Sequence, residues 1–322
     1  MRKTFFASTV AALALSVAAP QAFAQSDGPI SLLVGYSAGG SADFAARVIA
    51  PELSERLGRT VVVENATGAS GMIALQNLIN ARPDGSTLYY GGFDTVAVPM
   101  VNAAVAIDWK VETIPVARTA TTSMTIAVPA ASPYQTIDDL VAAARAEPDT
   151  ILYGTPGIGS AQHFVGEMIS HAAGVTFLHA PYQGGAQVSN DLLGGMLDSA
   201  VFTTSTVLPF LTDGSARALA VTTEDRSAAL PDVPTLNETP GFEGLALPLW
   251  QGVFVKAGTD AAIVTELATA IEASLAEPDV QERMAGAGFT AAPLPPAEFT
   301  AFIEAQAAVY AQIVEQSAIA IQ

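Results

Sequence analysis

One local pattern occurs once in each half of the chain: a short apolar strand, a glycine-rich turn that ends in Gly-Ser, and a helix. The first copy ends at Gly39-Gly40-Ser41 and the second at Gly157-Ile158-Gly159-Ser160. We call these turns the first glycine loop (residues 35–41) and the second glycine loop (residues 154–160). Strands that alternate with helices in this way form parallel α/β sheets. The pattern therefore predicts an α/β protein with one such unit in each half.

Apolar runs and turn residues predict the elements around these loops. The polar, threonine-rich stretch 118–125 separates a first series of elements from a second, and a third series follows residue 250. Ser41 is the expected N-cap of the first helix, which should kink or restart at Pro51 and end at Gly58. We predict strands at 30–34, 60–63, 87–90, 125–128, 151–153, 175–178, 199–202, 217–221 and 252–256. We predict further helices at 72–81, 136–145, 161–172, 187–193, 261–275, 280–285 and 296–317.

The N-terminus has the order of a secretory signal. Arg2 and Lys3 precede the apolar run 5–19, and Ala22-Phe23-Ala24 supplies the small residues of a cleavage site. The run is shorter than the ~20 apolar residues that a membrane-spanning helix needs. We therefore expect a signal peptide over residues 1–24, cleavage after Ala24 and export to the periplasm.

Charge and cysteine content exclude several classes of function for the exported chain. Residues 25–322 contain 11 basic and 31 acidic side chains, a net charge of −20. This field disfavours nucleic acid and anionic lipid as partners. The chain has no cysteine, which excludes disulfides and thiolate metal sites.

The first glycine loop also fits the nucleophile elbow G-x-S-x-G, with Ser37 as the nucleophile. An elbow serine normally follows several strands and precedes its acid and its histidine. Here Ser37 follows the first strand, and His163, His171 and His179 all lie in the middle of the chain. A phosphate loop is excluded, because no lysine follows Gly40. A secreted serine hydrolase that uses Ser37 stays as an alternative function.

Backbone donors give the glycine loops another use. Glycine lets N–H groups converge on one point, and a helix N-terminus adds partial positive charge there. Neither loop contains a lysine or an arginine. Two such loops that face each other would hold a carboxylate through neutral donors. The alternative is that both are ordinary strand–helix turns with capping serines.

Five segments, in order along the chain, resemble the periplasmic substrate-binding proteins of tripartite tricarboxylate transporters, the Bug or TctC-type family. They are GYSAGGSADFAARVIAPELSERLGRTVVVENATGASG, ARPDGSTLYY, YGTPGIGSAQHFVGEMI, HAPYQGGAQVSNDLLGGMLD and RALAVTTEDRSAALPDVPTLNE. The resemblance implies a two-lobed periplasmic-binding-protein clamshell of the type II-like kind. Each lobe is expected to be a mostly parallel sheet flanked by helices. We expect lobe 1 over residues 25–124 plus 250–322 and lobe 2 over 125–249.

The resemblance also implies a site and a function. The family takes small carboxylates between the two loops, so the expected ligand-binding residues are Tyr36, Ser37, Ala38, Gly39, Gly40, Ser41, Asp43, Gly159, Ser160 and His163. Asp94 is expected on the loop after the third strand, and Thr203 and Thr204 after a strand of lobe 2. Ligands bind at such positions in open α/β sheets, so these residues complete the candidate set. Where the family often has prolines and a threonine, this chain has Ser37-Ala38 and Ala42, which leaves the identity of the carboxylate open.

Several of these residues also have structural interpretations. Asp43 suits a first-turn carboxylate that pairs with Arg47, and His163 suits a support for the second glycine loop. Glu64-Asn65 is expected to fix a turn, and Trp250 suits a hinge or core position where the chain recrosses between lobes.

The predicted function is a monomeric receptor that passes a small organic anion to the membrane subunits of a tripartite tricarboxylate-type transporter. No catalytic residue, cofactor or metal is expected. Besides the hydrolase, a second alternative is a ligand presenter to a periplasmic sensor, which differs only in its membrane partner.

Overall fold

Two β-sheets flanked by helices make up the computed structural model, which describes residues 28–317. The predicted signal peptide therefore lies outside the described residues. The strands are β1 (Ile30–Val34), β2 (Val61–Asn65), β3 (Thr87–Gly92), β4 (Thr113–Thr122), β5 (Met124–Pro129), β6 (Leu152–Thr155), β7 (Leu178–Pro181), β8 (Ser199–Thr203), β9 (Ala216–Val221), β10 (Leu249–Lys256) and β11 (Phe289–Leu294). The helices are α1 (Ser41–Leu57), α2 (Met72–Asn80), α3 (Phe93–Val101), α4 (Trp109–Glu112), α5 (Ile137–Ala146), α6 (Ala161–Ala173), α7 (Gly185–Leu193), α8 (Thr204–Thr212), α9 (Ala261–Leu275), α10 (Pro278–Gly286) and α11 (Pro296–Ser317).

Each sheet is mixed, with one parallel unit and additional antiparallel strands. The six-stranded sheet has the order β11-β4-β10-β3-β1-β2, and the five-stranded sheet has the order β7-β6-β8-β5-β9. The parallel units are β2-β1-β3 and β7-β6-β8. We call the first sheet with its helices lobe 1 and the second lobe 2. The two-lobed α/β prediction is confirmed, but the expected mostly parallel sheets are mixed, because the strands nearest the chain crossings run antiparallel.

The threonine-rich stretch that was expected to separate two series of elements is instead strand. It forms the end of β4 in lobe 1 and the start of β5 in lobe 2, with Ser123 between them. The hydroxyls pair with each other where water is excluded: Thr204 Oγ1 lies 2.6 Å from Ser123 Oγ and 2.8 Å from Thr125 Oγ1. The chain passes from the six-stranded sheet to the five-stranded sheet between β4 and β5, and it returns between β9 and β10. The domain limits proposed from the sequence stay a prediction.

Helix α1 differs from its prediction in two ways. Its N-cap is Gly40, so Ser41 is the first helical residue and not the cap. The helix also runs through Pro51 without a break. Buried side chains on both sides of the proline, including Ile49 and Leu53, hold the helix against the sheet. This packing offsets the loss of one backbone hydrogen bond at the proline.

Five elements were absent from the sequence prediction, and one was displaced. Strands β4 and β11 and helices α3, α4 and α8 were not expected. The third strand of lobe 2 begins at Leu178, where the sequence placed its end. Hydrogen bonding to β6, with Leu152 opposite Leu178, sets that register. Hydrogen bonding to strands distant in the sequence, and not the local pattern, therefore determined where these strands form.

Aromatic packing joins the two lobes beneath the cleft. Phe93 of α3 packs against Phe164 of α6 and Tyr310 of α11, with ring centroids 4.9 and 4.2 Å apart. Trp250 is fully buried, and its indole N–H donates to the Tyr310 hydroxyl at 2.6 Å. Its expected core position is thus confirmed.

Candidate functional site

The carboxyl ends of the parallel strands of both lobes meet at one cavity. In lobe 1 the first glycine loop follows β1, and α3 begins directly after β3. In lobe 2 the second glycine loop, α7 and α8 follow β6, β7 and β8. This edge of an α/β sheet is where ligands bind.

The cavity is lined by residues from both lobes. The polar side chains in its wall include those of Tyr36, Ser37, Ser41, Asp94, Gln162 and Thr203. Among the described residues that line it there is no lysine, arginine or histidine. Any anion held here is bound by neutral donors.

The first glycine loop brings the N-terminus of α1 to the cavity wall. Ser37, Gly40 and Ser41 line the cavity, whereas Ala38 and Gly39 are exposed on the outer side of the loop. First-turn N–H groups have no acceptor inside their own helix, and the helix end carries partial positive charge. This end of α1 therefore offers the neutral donors that the sequence predicted.

Asp43 supports the first glycine loop from behind and does not line the cavity. Its carboxylate accepts hydrogen bonds from the Gly39 N–H, Arg47 Nε and Asn65 Nδ2, each at 2.9 Å. The Asn65 amide also donates to the Tyr36 carbonyl. Burial alone would raise the pKa of Asp43, but these hydrogen bonds lower it below its usual range. The expected Asp43–Arg47 pair is present, and Asn65 links the β2 end to the loop.

The second glycine loop has its donors satisfied internally. The Gly159 N–H donates to His163 Nδ1 at 3.1 Å, and the Ser160 N–H to the Gly157 carbonyl at 3.3 Å. Ser160 caps α6 by accepting from the His163 N–H. Gly159, Ser160 and His163 do not line the cavity, so the structure does not bring them together with the first loop there. Their role as ligand contacts stays a prediction.

A buried histidine pair lies behind the second loop. The rings of His163 and His179 are stacked with their centroids 4.0 Å apart. Burial, with the neighbouring His179, lowers the pKa of His163 to about 3, and burial lowers the pKa of His179 to about 4. Both imidazoles are therefore neutral at pH 7. His163 Nδ1 accepts from Gly159, which is the supporting role considered from the sequence.

The residues of lobe 2 that stand opposite the first loop are Gly184 and Gly185, which the sequence reasoning missed. Gly184 is the N-cap of α7, and both glycines line the cavity. A Cβ at Gly184 would lie 2.7 Å from Ser37 Oγ, so the two lobes approach closely here. The sequence did contain a signal for this turn, because Gly184-Gly185 precedes a predicted helix. The turn was missed because it lacks the Gly-Ser ending that the two glycine loops share.

Asp94 lies in the first turn of α3, and not in a loop as expected. Helix α3 was missed because its apolar sequence with Pro99 does not show helical periodicity. Asp94 lines the cavity beside Tyr36, whose hydroxyl donates to the Ser70 carbonyl at 3.4 Å. Removal from water raises the pKa of Asp94 to about 7, although the nearby Tyr36 side chain lowers it in part.

Thr203 is the last residue of β8 and does not follow it as expected, whereas Thr204 follows as the first residue of α8, and the two have different surroundings. Thr203 lines the cavity, accepts from Gln162 Nε2 at 3.1 Å and donates to Ser41 Oγ of the other lobe at 3.3 Å. Thr204 is buried at the chain crossing with Ser123. Gln162, a further cavity residue, was not identified from the sequence.

The geometry around Ser37 lacks the partners of a nucleophile. His163 Nδ1 is used by Gly159, and His179 Nε2 pairs with Thr155 Oγ1 at 2.7 Å. His171 is exposed in the last turn of α6. Among the described residues, no hydrogen bond joins Ser37 to a histidine. The G-x-S-x-G match is thus a turn that leads into α1.

Residues 28–317 contain neither a candidate metal cluster nor a candidate membrane span. No cluster of three or more potential metal ligands occurs in this part of the chain. Within the same residues, no helix is long and apolar enough to cross a membrane.

Two lobes with a cavity between them at their strand ends are typical of solute-binding proteins. The chain matches the model of the tripartite tricarboxylate transporter family receptor (TctC) over residues 45–319, and it belongs to this family. It is 35% identical to a UPF0065 protein of Bordetella bronchiseptica, over 84% of this chain and 80% of that protein.

Two solved structures extend the comparison. The periplasmic binding protein BugD is 31% identical with a TM-score of 0.87, over 92% of this chain and all of that one. Rpa4515 of R. palustris, solved with adipate, is 29% identical with a TM-score of 0.87, over 91% of this chain and 98% of that one. These likenesses identify the chain as a solute receptor of the Bug/TctC type.

Proposed function

We propose that this receptor captures a small carboxylate in the cavity between its lobes and delivers it to the membrane subunits of a tripartite tricarboxylate-type transporter. The observation that carries the proposal is the meeting of two helix N-termini at the cavity: Ser41 of α1 and Gly185 of α7 both line it. Each helix end contributes unpaired N–H donors and partial positive charge. The adipate complex of Rpa4515, a related structure, supports a carboxylate as the ligand.

Capture by neutral donors suits a protein that must release its ligand. A cation buried for the anion alone would be left unpaired after release, which is unfavourable. Contacts from both lobes to one ligand favour the closed state over the open state, and the transporter then needs only to separate the lobes. The cross-lobe bond from Thr203 to Ser41 lies at the cavity and joins the two walls.

Export and the absence of catalysis complete the proposal. Residues 1–24 act as a signal peptide cleaved after Ala24, the receptor works in the periplasm as a monomer, and it performs no reaction. A fluorophosphonate probe should leave Ser37 unlabelled. Labelling that disappears in Ser37→Ala would establish the hydrolase alternative instead.

The test is a thermal-shift screen followed by calorimetry on protein purified from the periplasm. The panel contains C4 to C6 dicarboxylates, citrate, amino acids, aromatic acids and sugar acids, each beside its uncharged amide. A ligand that binds only the native state adds ~2.7 kcal/mol at a hundredfold excess over its dissociation constant. We expect a shift with at least one carboxylate and none with its amide. If no acid raised the melting temperature, the carboxylate proposal would be wrong.

A further inference from the structure

The cavity contains a carboxyl group that a receptor for a dianion would not be expected to keep. Asp94 is the acidic residue among the described residues that line it, and no basic side chain stands in the same wall to balance it. The whole chain is also strongly acidic, with a formal net charge of −18. A second carboxylate on the ligand would meet Asp94 in a region with little water, where like charges repel strongly.

The position of Asp94 is fixed by the fold. Strands β1 and β3 are parallel neighbours, with Val34 opposite Tyr90, so the first glycine loop and the start of α3 leave the sheet side by side. The Tyr36 side chain extends from that loop to the same wall of the cavity as Asp94, where the two groups affect each other's ionisation. Asp94 therefore stands next to the α1 N-terminus that offers donors to an anion.

The groups around Asp94 do not neutralise it. Among the described residues, the ionisable groups that interact with it are Tyr36, Tyr89 and Tyr310. Burial raises the pKa of each of these phenols, so all three are uncharged at pH 7. Their hydroxyls form hydrogen bonds but carry no positive charge. A carboxyl that is removed from water without a cation lacks the partner that favours its ionised form.

The remaining wall near Asp94 is aromatic. Tyr36, Tyr89, Phe93 and Trp250 all line the cavity. Aromatic rings attract cations through their electron-rich faces, most strongly where water is excluded. One carboxyl among aromatic residues and uncharged hydroxyls is a setting that favours an ammonium group.

We propose that Asp94 determines specificity, and that the receptor takes a small amino-carboxylate whose carboxylate lies on the α1 N-terminus and whose ammonium group pairs with Asp94. The inference rests on the proposed function, since it assumes that an anion is held at the first glycine loop. It excludes dicarboxylates as the preferred ligands.

The test uses ligands matched in length. Calorimetry compares succinate, 4-aminobutyrate and butyrate, then adipate, 6-aminohexanoate and hexanoate, and then leucine beside 4-methylpentanoate. We expect at least one amino-carboxylate to bind 10-fold or more tightly than both its equal-length dicarboxylate and its plain monocarboxylate, where such matches exist. A dicarboxylate that binds more tightly than every amino-carboxylate would overturn the inference and leave the proposed function intact. No binding by any of the acids would instead contradict the proposed function.

A variant pair assigns the effect to Asp94. Asp94→Asn keeps the size of the side chain and removes its charge. It should weaken the best amino-carboxylate about 10- to 100-fold, the range expected for loss of a charged hydrogen bond. The same variant should bind the monocarboxylate as tightly as wild type or more tightly, because it removes the repulsion between Asp94 and the ligand carboxylate. Asp138→Asn is the matched control, because Asp138 also lies in a helix first turn but is exposed and outside the cavity. Equal amino-carboxylate affinity in Asp94→Asn and wild type would overturn the inference.

The pH dependence separates two roles for the carboxyl. If ionised Asp94 pairs with an ammonium group, amino-carboxylate affinity rises from pH 5.5 to 8 in wild type and stays flat in Asp94→Asn. If protonated Asp94 instead donates to a ligand carboxylate, dicarboxylate affinity rises as the pH falls, and the inference is wrong.

Discussion

The two glycine loops share one sequence pattern but differ in use. The first glycine loop lies at the cavity wall, and its glycine-capped helix presents first-turn N–H groups there. In the second glycine loop, the Gly159 N–H donates to His163 and the Ser160 N–H donates to the Gly157 carbonyl of the same loop. A glycine before a helix thus places helix N–H groups at the cavity in one lobe and serves packing in the other.

The reason for the difference lies in what each loop contacts. Gly159 has φ of +78°, and a Cβ there would lie 3.1 Å from Val101 Cγ2 of α3. The neighbouring Ile158 carbonyl accepts from Ser70 Oγ of lobe 1 at 2.8 Å. The second loop is therefore an interlobe contact, and Gly184-Gly185 takes the place opposite the first loop.

The largest effect should come from filling the space between Ser37 and α7. Gly184 has an extended backbone that any residue adopts, so Gly184→Val should fold but push its side chain toward Ser37 Oγ. We expect at least a 100-fold loss of affinity, about 2.7 kcal/mol, by calorimetry. Gly286→Val is the control, because a Cβ there meets open space. If Gly184→Val bound as wild type does, the ligand would lie elsewhere.

A second variant pair tests the packing role of the second loop. Gly159→Ala and Gly174→Ala both place a side chain at positive φ, but only Gly159 has close neighbours. Urea unfolding should show a loss of about 1 kcal/mol for Gly174→Ala from backbone strain alone. For Gly159→Ala we expect about 2 kcal/mol, since Val101 must also move. Equal losses would mean that the contact with α3 adds nothing.

Mild acid should loosen the second loop before the first. The unfolded imidazoles of His163 and His179 take up protons near pH 6.5, whereas in the folded chain their pKa values are about 3 and about 4. Below pH 6.5 the unfolded state therefore binds more protons, and the free energy of unfolding falls as the pH falls. The raised pKa of Asp94 acts in the opposite direction between pH 7 and 4, as does the raised pKa of Glu167.

The measurement therefore uses Asp94→Asn, which removes one opposing titration. We expect its free energy of unfolding to drop by the order of 1–2 kcal/mol from pH 7.5 to 5. His179→Gln in that background should reduce the drop, while His171→Gln, at an exposed position, should not change it. Hydrogen exchange should quicken in the second loop and not in the first, where the pKa of Asp43 is lowered. An equal drop with and without His179→Gln would contradict the prediction, because it would mean that His179 takes up protons equally in the folded and unfolded states.

The smallest effect concerns the hydroxyl contact between the lobes. Ser41→Ala and Thr203→Val each remove one partner of the 3.3 Å bond. A double-mutant cycle on ligand affinity should give a coupling of about 0.5–1 kcal/mol, the usual net value of a neutral hydrogen bond. Strict additivity would indicate that the bond does not contribute to closure.

Sequence reasoning predicted the features that local pattern controls. Helices α9 and α11 have the predicted bounds, because each begins at a helix-start signal in the sequence and continues with an uninterrupted helical pattern. The Asp43–Arg47 pair follows from i,i+4 spacing on one helix, and it is present. The position of the first glycine loop after β1 was also predicted, because the apolar run and the glycines are adjacent in the chain.

The remaining features depended on contacts between distant segments. Strand β4 was missed because its threonines read as polar, yet it is almost entirely buried between β10 and β11. The break expected at Pro51 did not occur, since packing on the sheet holds α1. Asp94 became a helix residue in the cavity only through the pairing of β3 with β1.

By itself, the sequence determined the α/β class, the glycine turns and the family. Which turn presents a helix N-terminus to the cavity was decided by the tertiary structure alone. The physical reason is that a glycine loop has the same local conformational freedom wherever it occurs, while its donors are free or satisfied according to its neighbours. In the second loop, His163 accepts the Gly159 N–H and α3 packs against Gly159. Opposite the first loop, Gly184 and Gly185 have no side chains and leave the cavity open.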